Sequence, residues 1–249
     1  MNPVKLLSPD FAVGKLLVAG RSLLELGALL IARPSAESLH LARLIMQVKP
    51  RHTMVRNPNL INLYRMVRYL NRSALPGTIV ECGVWKGGSS AMMAAACQDS
   101  GVQRDFWLFD SFEGLPPPTE KDNAFERTYY FKGMNKGSIE AVERIFRKLG
   151  QPLERVHFVK GWFEQSIPAA TVEQIALLHI DADWYDSVSL VLNELYDRVV
   201  PGGYVVFDDY GYWEGCDRAA HDFLDRRGLP RTALHRVGGM GAYFQKPQV

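Results

Sequence analysis

The stretch LLHIDADWYDSV, Leu177 to Val188, decides the fold. It begins as a continuous apolar run, ends in three aspartates within six residues, and then takes on a helical pattern. A run apolar at every position reads as a strand buried on both faces, which is the signature of a parallel sheet. Four further runs have the same character: TIVECGV (78–84), DFWLFD (105–110), RVHFVKG (155–161) and GYVVFDD (203–209). Helical patterns lie between and after them, over Ser89–Asp99, Ser138–Leu149, Ser187–Val200 and Cys216–Arg227. TALHRV and GAYFQK, split by GGMG, read as a closing hairpin. The expected fold is α/β: a doubly wound, Rossmann-like sheet of about seven strands, the last antiparallel.

Upstream, residues 36–75 predict two helices divided near KPRHTMVRNPN, and 15–35 predict an apolar helix. Arg21 and Glu25 interrupt that helix, leaving no uncharged run of about 18 residues, so no membrane span is expected. It also starts late for a signal peptide. The expected organisation is a helical extension over 1–75, not independent, followed by one catalytic domain over 76–249. The 249 residues carry a formal net charge of +2, which gives no electrostatic reason to expect nucleic acid or an acidic membrane. Three cysteines without metal-ligand spacing fit reduced thiols in a cytoplasmic protein. The apolar N-terminal helix points to a homo-oligomer, dimer or higher. The 26-residue segment 112–137, rich in Pro, Gly and aromatics, is long enough to be a lid or specificity element.

In an open parallel sheet, ligands bind beyond the C-terminal strand ends. Every one of the five strands delivers polar or acidic groups there: Glu81, Asp110, the KGWF segment, Asp181 with Asp183, and Asp208 with Asp209. ECGVWKGGS lacks the G-x-G-x-x-G of a dinucleotide site, which argues against a nicotinamide-dependent oxidoreductase. A small cationic ligand such as S-adenosylmethionine suits Glu81 and Gly83 better, with Asp110 placed for ribose hydroxyls. Asp181, Asp208 and Asp209 are oxygen-only ligands at neighbouring strand ends, the donor set of a hard ion such as Mg²⁺. Asp186 reads as a helix cap or first-turn charge. His179 reads as a buried core or supporting histidine, and His52 as a weaker candidate for an auxiliary base. Tyr129, Tyr130 and Phe131 in the lid, and Tyr210, Tyr212 and Trp213 after the acidic pair, fit either acceptor contact or packing.

VECGVWKGGSS, LFDSFEGLP, VKGWFEQSIP, LLHIDADWYDS and VPGGYVVFDDYGYWEGCDRA together resemble the macrocin O-methyltransferase family from about Thr53 onward. The resemblance implies S-adenosylmethionine- and Mg²⁺-dependent methylation of a sugar hydroxyl in antibiotic biosynthesis. A catechol-type reaction on another vicinal diol is the alternative supported by the same metal chemistry. It implies Asp181, Asp208 and Asp209 as metal ligands and Asp183 as general base. It implies Glu81, Gly83, Val84 and Trp85 along the methionine and ribose of the cofactor, and Asp110, Ser111 and Phe112 at ribose and adenine. Ser138, Gly161, Trp162 and Ser166 would close the adenine pocket, with Thr53 and Met54 covering it. The family's usual Asp-Gly-Asp is here Asp181-Ala182-Asp183, which removes a glycine's freedom from that turn.

Overall fold

A computed structural model describes residues 12–248. The chain opens with three helices, α1 (Ala12–Ala32), α2 (Ala36–Val48) and α3 (Asn57–Arg72). It continues through β1 (Thr78–Cys82), α4 (Gly88–Asp99), β2 (Phe106–Asp110), α5 (Ala124–Tyr129), α6 (Ile139–Lys148), β3 (Val156–Lys160) and α7 (Phe163–Ala169). The last part is β4 (Ile175–Ile180), α8 (Tyr185–Leu195), β5 (Val199–Phe207), α9 (Glu214–Arg226), β6 (His235–Arg236) and β7 (Ala242–Gln245).

The strands form one seven-stranded sheet in the order β3-β2-β1-β4-β5-β7-β6. β1 to β5 are mutually parallel, while β7 runs antiparallel to β5 and to β6. The strand order reverses between β1 and β4, so the crevice beyond their C-terminal ends is the natural ligand position. All six residues of β4 are buried, as its unbroken apolar run requires. One core layer joins α2, α3, α4 and α6 to one face of the sheet; the other joins α7, α8 and α9 to the opposite face.

Several boundaries differ from the sequence expectation. The helix expected over 187–200 begins at Tyr185 and ends at Leu195, followed by a 3₁₀ turn at Tyr196–Arg198. Val199 and Val200 belong to β5, because β-branched residues before Pro201 favour extended backbone. The pairing of β4 with β5 shifts register between Ile175 and Leu177, which takes up the residues around Pro201-Gly202. The long segment 112–137 contains α5, a short helix closed by an Asn123–Glu126 capping box. α7 was not anticipated. Its seven residues carry Pro168 and show too little periodicity to stand out. Cys82, Cys97 and Cys216 are all free and buried, and no described helix is long and apolar enough to cross a membrane.

Candidate active site

At the switch point, β1 and β4 converge until Gly83 (φ 92°) lies against the chain at Asp181. A Cβ on Gly83 would overlap the Asp181 carbonyl, so this glycine serves the approach of strand to strand. The turn after it is organised by Asp110 from β2. Asp110 Oδ2 accepts from Val84 N at 2.8 Å and Trp85 N at 2.7 Å, and Oδ1 accepts from Phe112 N at 2.6 Å. Burial pushes the Asp110 carboxyl up, while those three amides pull the other way. Much of its accepting capacity is therefore spent on shaping the loop, leaving Oδ1 open to one further donor.

Glu81 occupies a different place from the other strand-end carboxylates. It is fully buried and accepts from Ser89 Oγ at 2.5 Å, from Ser90 Oγ, and from His179 Nδ1 at 2.9 Å. Its carboxylate therefore faces α4 and β4 instead of the crevice. His179 is the supporting core histidine the sequence pointed to, although its Nε2 is buried without a partner.

Asp181, Asp208 and Asp209 come together as expected, each offering one oxygen within 4.8 Å of the others. Three oxygens on one octahedral Mg²⁺ at ~2.1 Å lie about 3.0 Å apart in cis pairs, with at most one trans pair at about 4.2 Å, so the triad would draw closer together on holding one. Burial, and then the neighbouring carboxylates, push Asp181 and Asp209 well above the ordinary carboxylate range. Such a cluster is strained as three bare anions and is relieved by a divalent cation. Asn59 Nδ2 donates to Asp208 Oδ1 at 2.7 Å, and the same amide's Oδ1 is buried without a partner beside the triad. The donor set fits a hard cation.

Asp183 stands apart from the triad in role and conformation. Its backbone is left-handed (φ 54°), and its N–H donates to Asp209 Oδ2 at 3.0 Å. Ala182 is not left-handed, so alanine in place of glycine costs nothing there; the unusual conformation falls one residue later. Burial pushes the Asp183 carboxyl up to about 7; a Trp213 hydrogen bond opposes this, and Asp208 and Glu126 reinforce it. A carboxyl poised there can exchange a proton near neutrality.

Thr53, Met54, Gly83, Val84, Trp85, Asp110, Ser111, Gly161, Trp162 and all four aspartates line one continuous cavity. Glu81, Phe112, Ser138 and Ser166 do not. Phe112 is buried with a left-handed backbone, Ser138 caps α6 by accepting from Ala141 N, and Ser166 Oγ reaches back to Gly161 O at 3.4 Å. His52 lines the cavity with Nδ1 3.1 Å from the Lys86 carbonyl, and burial lowers its pKa. Tyr129, Tyr212 and Trp213 also line it, whereas Tyr210 turns away to pair its hydroxyl with His221 Nε2 at 2.7 Å. Val18, Arg21, Ser89, Asn135 and Met240 line it too. The first two were beyond sequence reasoning, since an apolar helix 160 positions before the acidic strand end carries no local sign of the crevice.

A family model described as macrocin-O-methyltransferase (TylF) matches residues 42–246. The chain belongs to the macrocin O-methyltransferase family. Membership removes the nicotinamide-dependent reading. It is 34% identical over 198 residues to 8-demethyl-8-(2,3-dimethoxy-alpha-L-rhamnosyl)-tetracenomycin-C 4'-O-methyltransferase of Streptomyces olivaceus, covering 78% of this chain and 75% of the relative. It is 31% identical to mycinamicin III 3''-O-methyltransferase of Micromonospora griseorubida, covering 78% of each. Among solved structures, the O-methyltransferase NovP matches with a TM-score of 0.73 and 32% identity, covering 79% of this chain and 83% of that one. The sheet order and this likeness establish the class I O-methyltransferase fold.

Proposed function

We propose that this macrocin-family enzyme transfers a methyl group from S-adenosylmethionine to a hydroxyl of a sugar carrying a neighbouring hydroxyl, with Mg²⁺, in cytoplasmic antibiotic or other natural-product biosynthesis. The observation that carries this reading is the buried triad of Asp181, Asp208 and Asp209 beside Asp183, in one cavity with the Gly83–Trp85 turn. The tetracenomycin relative named above has a rhamnosyl group in the name of its substrate, which supports the acceptor class.

When bound, Mg²⁺ would make the chelated hydroxyl more acidic, and S-adenosylmethionine would supply the electrophilic methyl group. Asp181, Asp208 and Asp209 would hold the cation at the ends of β4 and β5. Asp183 accepts the proton of the attacking hydroxyl, its elevated pKa matching that task. The Val84–Trp85 turn, fixed by Asp110, would position the cofactor together with Thr53, Met54, Gly161 and Trp162 of the same cavity lining. Tyr129, Tyr212 and Trp213 wall the acceptor side and keep bulk water from Asp183. The chain works as a homo-oligomer through the exposed face of α1.

Asp183→Asn should lower kcat by about 10² to 10⁴-fold, the usual contribution of a positioned base. Calorimetric titration should show S-adenosylhomocysteine and Mg²⁺ binding unchanged within a few-fold. Near-normal turnover in Asp183→Asn would remove it from the mechanism.

A further inference from the structure

The cavity has a roof that the family pattern does not describe. α1 lies outside the matched residues 42–246, yet it contributes Val18 and Arg21 to the lining. The helix is pinned in place by α3. Ser22 Oγ donates to Asn57 Oδ1 at 3.0 Å and Asn57 Nδ2 donates to the Ser22 carbonyl at 2.8 Å. Asn57 N donates to Glu25 Oε2 at 3.1 Å, and Arg56 grips Glu25 Oε1 at 2.6 Å.

Glu25 is thereby committed to Arg56, and Arg21 reaches the same oxygen only at 4.0 Å. Its side chain is 44% exposed and is the one Arg or Lys among the described residues that lines the cavity. Lys49, which donates to the Met54 carbonyl at 3.3 Å, adds a further cation to this seam. Arg56 thus holds Glu25 at 2.6 Å while Arg21 reaches it only at 4.0 Å, and Lys49 is bonded to the Met54 carbonyl. Arg21 also stands on the acceptor side: the Tyr212 phenol feels its charge together with those of Asp183 and Asp209.

Resting on the sugar-methylation reading, we propose that Arg21 receives an anionic group, a phosphate or a carboxylate, carried by the sugar acceptor, making α1 an acceptor-selecting element. A guanidinium fork matches either anion in a bidentate manner. Arg21 is a positioning residue in this role and touches no reacting atom.

The test is calorimetry on the full chain loaded with S-adenosylhomocysteine and Mg²⁺, using methyl rhamnoside, rhamnose 1-phosphate and methyl glucuronoside as probes. The wild type should bind one anionic probe on the order of tenfold more tightly than the neutral glycoside, as a charged hydrogen bond implies. The better anionic probe distinguishes phosphate from carboxylate. Arg21→Gln should bring that preference to within about twofold, and Arg21→Lys should retain part of it. An unchanged unfolding midpoint and S-adenosylhomocysteine affinity in Arg21→Gln would show the site to be intact. Equal affinity for all three probes, no binding of an anionic probe, or a preference that survives Arg21→Gln overturns the inference. Methyl transfer to methyl rhamnoside, followed separately by mass spectrometry, reports on the sugar-methylation reading and not on Arg21.

Discussion

Lys49 shows how a single buried charge works against the fold around the site. Burial first, and then Arg21, hold its ammonium down to about 8, with Asp208 and Glu25 pulling the other way. The unfolded chain titrates near 10.4, so between about pH 8 and 10.4 the unfolded state binds more protons. Stability therefore rises with pH across that window, and below it the penalty of the buried charge is fully present. Lys49→Met should be more stable than wild type at pH 7, by about 2 kcal/mol after allowing for the lost bond to Met54. Urea unfolding should show that advantage shrinking towards pH 10. An equal difference at both pH values would show that the charge is not what costs stability. At this same scale the sequence was informative about chemistry and poor about direction. The acidic strand ends were visible as residue types, and Asp181, Asp208 and Asp209 do converge. Glu81 lies within β1, in register with His179 and two residues short of the level of Asp181, and the two serines and the histidine that claim it lie at 89, 90 and 179. Side-chain direction at a strand end is decided by such distant partners, which no local pattern reveals.

The candidate lid, residues 112–137, is fastened by two buried carboxylates. Asp122 Oδ1 accepts from Tyr185 N at 2.9 Å, and Glu126 Oε1 accepts from Gly215 N at 3.2 Å. They therefore satisfy orphan amides at the starts of α8 and α9, the helices that follow Asp183 and Asp209. Thr119 Oγ1 and Lys121 Nζ donate to Asp186 at 2.9 and 2.7 Å, and Trp184 Nε1 donates to the Pro116 carbonyl at 2.9 Å. Asp186 is thus a first-turn charge, as its position implied, and also an anchor for the lid. A Cβ at Gly215 would collide with the Asp122 carboxylate, so the contact depends on glycine. Glu126→Gln and Gly215→Ala should each loosen the lid by about 1–3 kcal/mol. Limited proteolysis should cut within 112–137 faster than in wild type, and the acceptor KM should rise several-fold with the S-adenosylhomocysteine affinity preserved. Unchanged cleavage would show the clasp to be dispensable. The sequence marked this segment as a lid or specificity element by its length and composition, yet not its clasp, because the bonds span 63 to 89 residues.

For the whole molecule, hydropathy period alone carried the architecture. Five apolar runs with intervening helices allow few sheets once right-handed crossovers are imposed, and a parallel sheet closed by an antiparallel hairpin is what forms. What periodicity could not describe is the outer surface of α1. Leu16, Leu24 and Ile31 are 72%, 77% and 84% exposed, and Val13, Leu17, Leu23 and Leu30 are uncovered as well. Together these seven side chains offer on the order of 700 Å² of apolar surface, close to the roughly 800 Å² that each partner contributes to a standard interface. A second copy, with α1 packed on α1, is the proposed occupant. Sedimentation equilibrium should show a dimer or higher assembly, and Leu16→Gln with Leu24→Gln should drive it to monomer. A wild-type monomer at tens of micromolar would exclude that assembly.

The whole scheme turns on the three strand-end aspartates. A crystal soaked with S-adenosylhomocysteine and Mn²⁺, standing in for Mg²⁺, allows the cation to be located by its anomalous signal. The expected result is one peak bonded to Asp181, Asp208 and Asp209 together, with the Asp183 carboxylate next to it and uncoordinated. A soaked crystal in which S-adenosylhomocysteine is bound but no peak lies on the triad would contradict metal-assisted methyl transfer.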